Sequence, residues 1–314
     1  MKKVTIIIPC YNEEASLPIL YEELVKLMTD SNLMDKYEWE LLFINDGSKD
    51  NTLQILRELH KLNSCVNYVD LSRNFGKENA MLAGFDYATG DCVVIMDADL
   101  QHPPHLVKRM LSKWEEGYDD VYAKRISRGK ESWLRRNLSL AFYAFLNKTS
   151  RVEMLSNVGD FRLLDRRCIN ALVTLRESER YTKGLYCWIG YKKTFVEFET
   201  KERIAGESSW SMMSLIKLAV DGLTSFTTIP LRIATIIGGG VSLIAFLCAI
   251  YFLVKTILFG DTVTGFPTLI CVILFLGGIQ LLCIGIVGEY IARMFNETKL
   301  RPIYFIREYN GELK

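Results

Sequence analysis

Asp97 and Asp99 stand one residue apart, directly after the apolar run Val93-Val94-Ile95-Met96. Two carboxylates this close at a strand end repel each other unless a cation or hydrogen bonds compensate. A hard divalent ion with oxygen ligands does so, and it can bridge to a diphosphate. A D-x-D pair by itself is also what a solvated loop carries. The strand before it and Gln101-His102-Pro103-Pro104 after it make this one the central chemical signal of the chain. His102 and His105 could add a metal ligand, although a helix start accounts for them more simply.

The elements around the pair alternate. Residues 4–9, 39–44, 66–71 and 92–96 read as strands. Residues 17–30 read as a helix, as do a stretch capped by Asp50 and running to 62, and residues 77–88, stopped by Gly90. Near-continuous apolar strands between helices predict a mostly parallel sheet covered on both faces. Ligands of such sheets bind beyond the carboxyl ends of the strands. There the chain carries Pro9, Tyr11, Asn12, Glu13 and Glu14, then Asn45, Asp46, Gly47 and Ser48, then the Asp97 to Gln101 segment. All should converge on one rim. No G-x-G-x-x-G follows the first strand and no G-x-x-x-x-G-K-[ST] occurs, which points away from dinucleotide oxidoreductases and P-loop enzymes.

At 314 residues the chain has room for one large domain and an appendage. A net charge of +1 supplies no global field for nucleic acid, so no nucleic-acid partner is expected. The 8 Cys are scattered, with no C-x-x-C pair, which argues against a zinc site or a disulfide framework and suits a reducing cytosol.

The appendage is apolar. Residues 233–254 and 266–287 contain no charged side chain. Each is long enough to cross a hydrocarbon core of ~30 Å at about 1.5 Å per residue. A pair of buried helices in a soluble core is the plain alternative. Lys255 is the one cation between the runs, while Arg232, Arg293, Lys299, Arg301 and Arg307 flank them. The positive-inside rule then places both termini in the cytoplasm. Gly238-Gly239-Gly240 and Gly277-Gly278 would allow close packing, of the two spans or of neighbouring subunits, so a homo-oligomer such as a tetramer is permitted. Residues 208–230 carry apolar positions at helical spacing and read as a helix in the membrane interface. Residues 132–148 have the same pattern, which an ordinary core helix would explain equally well.

The motifs in order resemble a known family. Ile7-Ile8-Pro9-Cys10-Tyr11-Asn12-Glu13-Glu14, Asn45-Asp46-Gly47-Ser48, Leu71-Ser72-Arg73-Asn74-Phe75-Gly76-Lys77-Glu78 and Met96-Asp97-Ala98-Asp99-Leu100-Gln101 look like family 2 glycosyltransferases of GT-A fold. Gly159-Asp160-Phe161-Arg162-Leu163, Arg203-x-Ala205-Gly206-Glu207-Ser208 and the two spans are similar to polyprenyl-phosphate glycosyltransferases. These are relatives of bactoprenol glucosyltransferases and dolichol-phosphate mannose synthase. The resemblance covers essentially the whole chain. Two departures stand out: Asn45-Asp46 where the family often has an acidic pair, and Ser209-Trp210 where many members have Lys.

The resemblance implies a fold class: an α/β GT-A (nucleotide-diphospho-sugar transferase, Rossmann-like) domain followed by interface helices and two transmembrane helices. The expected divisions are a cytoplasmic catalytic domain over 1–207, an amphipathic interface region over 208–230, two spans with a short extracytoplasmic loop over 231–290, and a cytoplasmic tail over 291–314. The implied setting is the cell membrane, multi-pass, with the catalytic domain on the cytoplasmic face. The implied reaction is inverting transfer of a sugar from a nucleotide-sugar donor, UDP-glucose by default, to a polyisoprenyl (undecaprenyl) phosphate. Pro9, Tyr11, Glu13 and Asp46 would hold the nucleoside. Asp46 can accept from a base N–H or a ribose hydroxyl, or else cap the turn at Gly47. Asp97 and Asp99 would hold Mg²⁺ or Mn²⁺ against the diphosphate. Asp160 matches the family's catalytic base, with a structural pair to Arg162 as the alternative. Arg73, Lys77 and Arg203 would meet donor phosphates, with structural pairing as the alternative, and Arg125 and Arg136 the acceptor phosphate, with Arg128, Lys130 and Arg135 as competitors. A processive polysaccharide synthase would need more spans and a Q-x-x-R-W motif, and this chain has neither. A non-catalytic membrane scaffold would leave the acidic cluster without a purpose.

Overall fold

The computed structural model describes residues 1–126, 158–198, 227–259 and 265–313, and the chain divides into two units, Met1–Ala219 with Arg301–Lys314 and Val220–Leu300. The described strands of the first unit are β1 (Lys2–Cys10), β2 (Tyr37–Asn45), β3 (Val66–Leu71), β4 (Cys92–Ile95), β5 (Asp120–Arg125), β6 (Val158–Asp165), β7 (Lys193–Phe198), β8 (Ile306–Tyr309) and β9 (Glu312–Leu313). Its described helices are α1 (Leu17–Met28), α2 (Thr52–Leu62), α3 (Lys77–Tyr87), α4 (Leu106–Glu115), α5 (Arg166–Thr174) and α6 (Thr182–Trp188). All nine strands form one sheet in the order β7-β5-β6-β4-β1-β2-β3-β8-β9.

Strands β3, β2, β1 and β4 are parallel neighbours, as the apolar alternation predicts. Their residues are buried on both faces: Ile6, Ile7, Ile8, Leu41, Leu42, Phe43 and Val93 to Met96 are all fully enclosed. In α1, Leu17, Leu20, Leu24 and Leu27 recur at helical spacing and turn one stripe into the core, with Pro18 in the first turn. The side chain of Asp165 caps α5, accepting from the backbone N–H of Arg167 at 3.0 Å.

Two parts of the sheet run against the expected parallel order. Strand β6 lies antiparallel between β4 and β5, and β8 lies antiparallel beside β3. A strand such as β6, buried on both faces, reads the same in either direction, and the polar β8 carries no strand pattern, so the sequence reveals neither. The stretch expected as a cytoplasmic tail, 291–314, also carries regular structure. Helical structure continues to Thr298, and residues 306–313 then complete the sheet of the first unit.

In the second unit, α7 (Ile229–Phe259) and α8 (Phe266–Thr298) form an apolar hairpin. The Tyr290 hydroxyl donates to the Thr227 carbonyl at 2.7 Å, and the Cys283 thiol to the Ala234 carbonyl at 3.7 Å. The stretches Ile229–Cys248 and Phe275–Thr298 are long and apolar enough to cross a membrane, and only 6% and 0% of them is buried inside the protein. A soluble core helix would be enclosed. These helices suit a bilayer instead, and the chain is membrane-associated. A Cβ added at Gly238, Gly239, Gly240, Gly277 or Gly278 would meet nothing within 4 Å among the described residues, so no contact between the two helices is seen at these glycines there. The proposed interface segments 132–148 and 208–226 lie outside the described residues.

Candidate active site

Strand register builds the site. The parallel pairing of β1 with β2 ends at Cys10 opposite Asn45, and that of β1 with β4 at Ile7 opposite Ile95. The residues at and beyond these strand ends, from Pro9, Asp46 and Asp97 onward, therefore share one rim, at the point where the strand order reverses. The antiparallel β4–β6 pairing sets Ile95 opposite Arg162. Continued by two residues, that register sets Asp97 opposite Asp160. The reversed direction of β6 is what brings the start of that strand to the end of β4.

Two acids facing each other need a cation, and Lys77 supplies it. Its ammonium lies 2.5 Å from Asp97 Oδ1 and 3.0 Å from Asp160 Oδ2. Lys77 is the first residue of α3, so the positive end of the helix dipole adds to its charge. Burial pushes the Asp160 carboxyl up, but Lys77, followed by Lys183, outweighs it and holds the group well below the usual carboxylate range. Burial acts the same way on Asp97, where Lys77 and then His102 overcome it and leave the carboxyl lowered. Burial works against the Lys77 charge, yet Asp160 and Asp97 together raise its pKa well above the ordinary lysine value. Asp160 Oδ1 is buried and has no hydrogen-bond partner among the described residues. Arg162 does not pair with Asp160. Its guanidinium donates to Asp120 at 3.0 Å and lies 3.7 Å from the Tyr186 ring centre.

Asp99 accepts from the Gln101 backbone N–H at 3.0 Å, and Leu100 between them has φ +59°. A left-handed leucine is a strained position, and such positions gather at ligand sites. His102 is 2% exposed, stacks on Phe161 with centroids 4.8 Å apart, and places Nδ1 3.9 Å from Asp97 Oδ2. The sequence suggested a helix start here. The helix does start here, with His105 as the N-cap of α4, and the His102 ring ahead of it is buried behind the first acid of the pair.

The loops after β1 and β2 lock together. Asn12 N–H donates to Ser48 Oγ, Lys49 N–H to Asn12 Oδ1, Glu13 N–H to Thr52 Oγ1 and Glu14 N–H to Asp50 Oδ2. Tyr11 is left exposed at the lip, while burial, opposed by the Ser16 hydroxyl, raises the Glu13 carboxyl. Asp46 is buried, and its carboxylate accepts from the backbone N–H groups of Phe75 at 2.7 Å and Gly76 at 2.9 Å. It thus clasps the turn that leads into Lys77. Gly47 must be glycine: φ is +64°, and a Cβ would sit 2.4 Å from the Arg73 carbonyl carbon.

Arg125 ends β5, opposite Phe198 of β7. Arg136 and Arg203 lie outside the described residues. The sequence missed Glu78, which accepts from the backbone N–H of Thr182 at 3.1 Å. These residues are so far apart along the chain that no local signal could have joined them.

Residues 5–172 match the model of the family described as glycosyl transferase family 2, and residues 229–294 match the GtrB C-terminal hairpin. The putative glycosyltransferase CsbB of Bacillus subtilis is 46% identical, over 98% of this chain and 92% of its own. The bactoprenol glucosyl transferase of Shigella phage SfX is 42% identical, over 97% of this chain and 99% of its own. Among solved structures, glucosyl-3-phosphoglycerate synthase from Mycobacterium tuberculosis is similar with a TM-score of 0.45 and 17% identity, covering 71% of this chain and 78% of that one. The acids at the strand ends sit on a Rossmann-like GT-A sheet, the family match spans more than half of the chain, and relatives align across nearly their whole length. On these grounds the chain belongs to glycosyl transferase family 2 and is a glycosyltransferase.

Proposed function

We propose that the enzyme transfers glucose from UDP-glucose to a polyisoprenyl phosphate such as undecaprenyl phosphate, at the cytoplasmic face of the cell membrane. The observation that carries this reading is the Lys77-bridged pair of Asp97 and Asp160 beside Asp99, at the carboxyl ends of the parallel strands. The acceptor and sugar follow the relatives named bactoprenol glucosyl transferase. The side of the membrane follows the cations that flank the apolar helices.

The donor set fits a hard divalent ion. Among the described residues no group of three His, Cys, Asp or Glu side chains converges. An ion held by Asp97 and Asp99 would therefore take its other ligands from diphosphate and water, which is how Mg²⁺ and Mn²⁺ sit at phosphate substrates. When bound, such an ion supplies Lewis-acid neutralisation of the leaving diphosphate.

The chain's own groups do the rest. The interlocked loops that carry Pro9, Tyr11 and Glu13 form the nucleoside end, and Asp46 fixes the turn before Lys77. Arg125, with Arg136 and Arg203, supplies cations for the acceptor and donor phosphates. A phosphate monoester loses its second proton near pH 6, so much of the acceptor is a dianion at neutral pH. Asp160, an ionised carboxylate tied to Lys77, therefore orients the acceptor and the sugar through its open Oδ1 more than it removes a proton. Direct displacement at the anomeric carbon inverts it, so an α-linked donor gives a β-linked lipid.

The test is a membrane assay with Mg²⁺, undecaprenyl phosphate and a panel of radiolabelled UDP- and GDP-sugars. Label from UDP-glucose should enter the lipid phase. Label from another donor alone would replace glucose, and no label from inserted, folded protein would overturn the reading.

A further inference from the structure

The turn Ser72 to Gly76 has two sides. On one side Asp46 takes the backbone N–H groups of Phe75 and Gly76. On the other lies the C-terminal tail. The Ser72 N–H donates to the Phe305 carbonyl at 2.9 Å, and Arg307 Nη2 donates to the Ser72 carbonyl at 2.8 Å. The Phe305 and Phe75 rings pack with centroids 6.5 Å apart. Arg307 Nη1 also lies 3.6 Å from Oδ2 of the fully buried Asp70, whose Oδ1 accepts from Asn45 Nδ2 at 2.7 Å. Asn45 is the residue before Asp46. The tail is itself anchored, for Glu308 accepts from Arg57 and from the Tyr68 hydroxyl, and Tyr304 donates to Asp86 at 2.5 Å.

A turn gripped from both sides has one conformation, and holding it in advance removes an ordering cost from ligand binding. We propose that Phe305 and Arg307 are positioning residues of the donor site: the tail clamps the 72–76 turn so that Asp46 and Lys77 stand ready for the nucleotide sugar. The inference rests on the nucleotide-sugar reading above. It adds that residues far from the pocket in sequence, and touching no donor themselves, set its affinity.

The experiment titrates uridine diphosphate with Mn²⁺ into purified full-length protein in detergent, by calorimetry, and records melting temperature and both KM values alongside. Phe305→Ala should raise the dissociation constant and the donor KM about tenfold, an ordinary size for coupling to a remote contact. The acceptor KM should stay near wild type. Phe305→Leu, which keeps the bulk, should restore most of the affinity. Arg307→Lys, which keeps the charge beside Asp70 but loses the planar fork, should fall between. If wild type binds and Phe305→Ala binds equally well, or loses only melting temperature, the tail is merely structural and the inference fails. If wild type itself does not bind, the nucleotide reading fails first, and the inference falls with it.

Discussion

Lys77 sets the charge balance of the site, because it alone is seen to bridge Asp97 and Asp160 among the described residues. Without it two acids face each other with their mutual repulsion uncompensated. Lys77→Met is therefore expected to lower kcat by about 10²–10³-fold, the usual size for removing a preorganised charge partner, while the protein still folds. Steady-state transfer assays and a melting curve check this; unchanged turnover would remove Lys77 from the mechanism. At this scale the sequence was legible where the chemistry is local. Asp97 and Asp99 stand together at a strand end, and the interlocking loops start where the apolar runs stop. It was not legible where partners are distant. Lys77 was expected at a donor phosphate, and its bridge to Asp160, far along the chain, left no local signal. The reach of the Asp46 carboxylate to Phe75 and Gly76 likewise left no local signal, beside its expected contact with the nucleoside.

Hydrophobic alternation placed the first four strands and three helices within a residue or two, since burial on both faces leaves near-continuous apolar runs. Strand direction is not encoded in that pattern, and β6 and β8 were therefore unforeseen. Ile306-Arg307-Glu308-Tyr309 looks like a polar tail, yet it pairs with β3 and buries Glu308 against Arg57 and Tyr68. The Arg57 hydrogen bond, opposed by burial and helped by Tyr68, lowers the Glu308 pKa. A carboxyl lowered in the folded state stabilises above its unfolded value, and that gain is lost as pH falls through the folded value. Glu308→Gln should thus melt below wild type at neutral pH, modestly because Arg57 is partly exposed. The gap should close as the solution is acidified below the ordinary glutamate range. A gap that persists in acid would show that the pair contributes through shape and not charge.

At the scale of the molecule, the chain joins a sheet-based catalytic unit to an apolar hairpin, and both were legible from composition alone: uncharged runs of about 20 residues seldom occur in soluble folds. The proposed orientation is checked at Gly265, an exposed position just before α8. In a background without other cysteines, Gly265→Cys should react with a membrane-impermeant maleimide from the outer face only. Labelling from the cytoplasmic face would reverse the topology. The central claim is that Asp97 and Asp99 hold the ion that lets a nucleotide sugar pass its sugar to a lipid phosphate. Its most direct test compares wild type with Asp99→Asn in the lipid-phase transfer assay, with donor and Mg²⁺ saturating for the wild type. The account predicts label in the lipid for wild type and none above background for a folded, inserted Asp99→Asn protein. Wild-type turnover in that variant would contradict it.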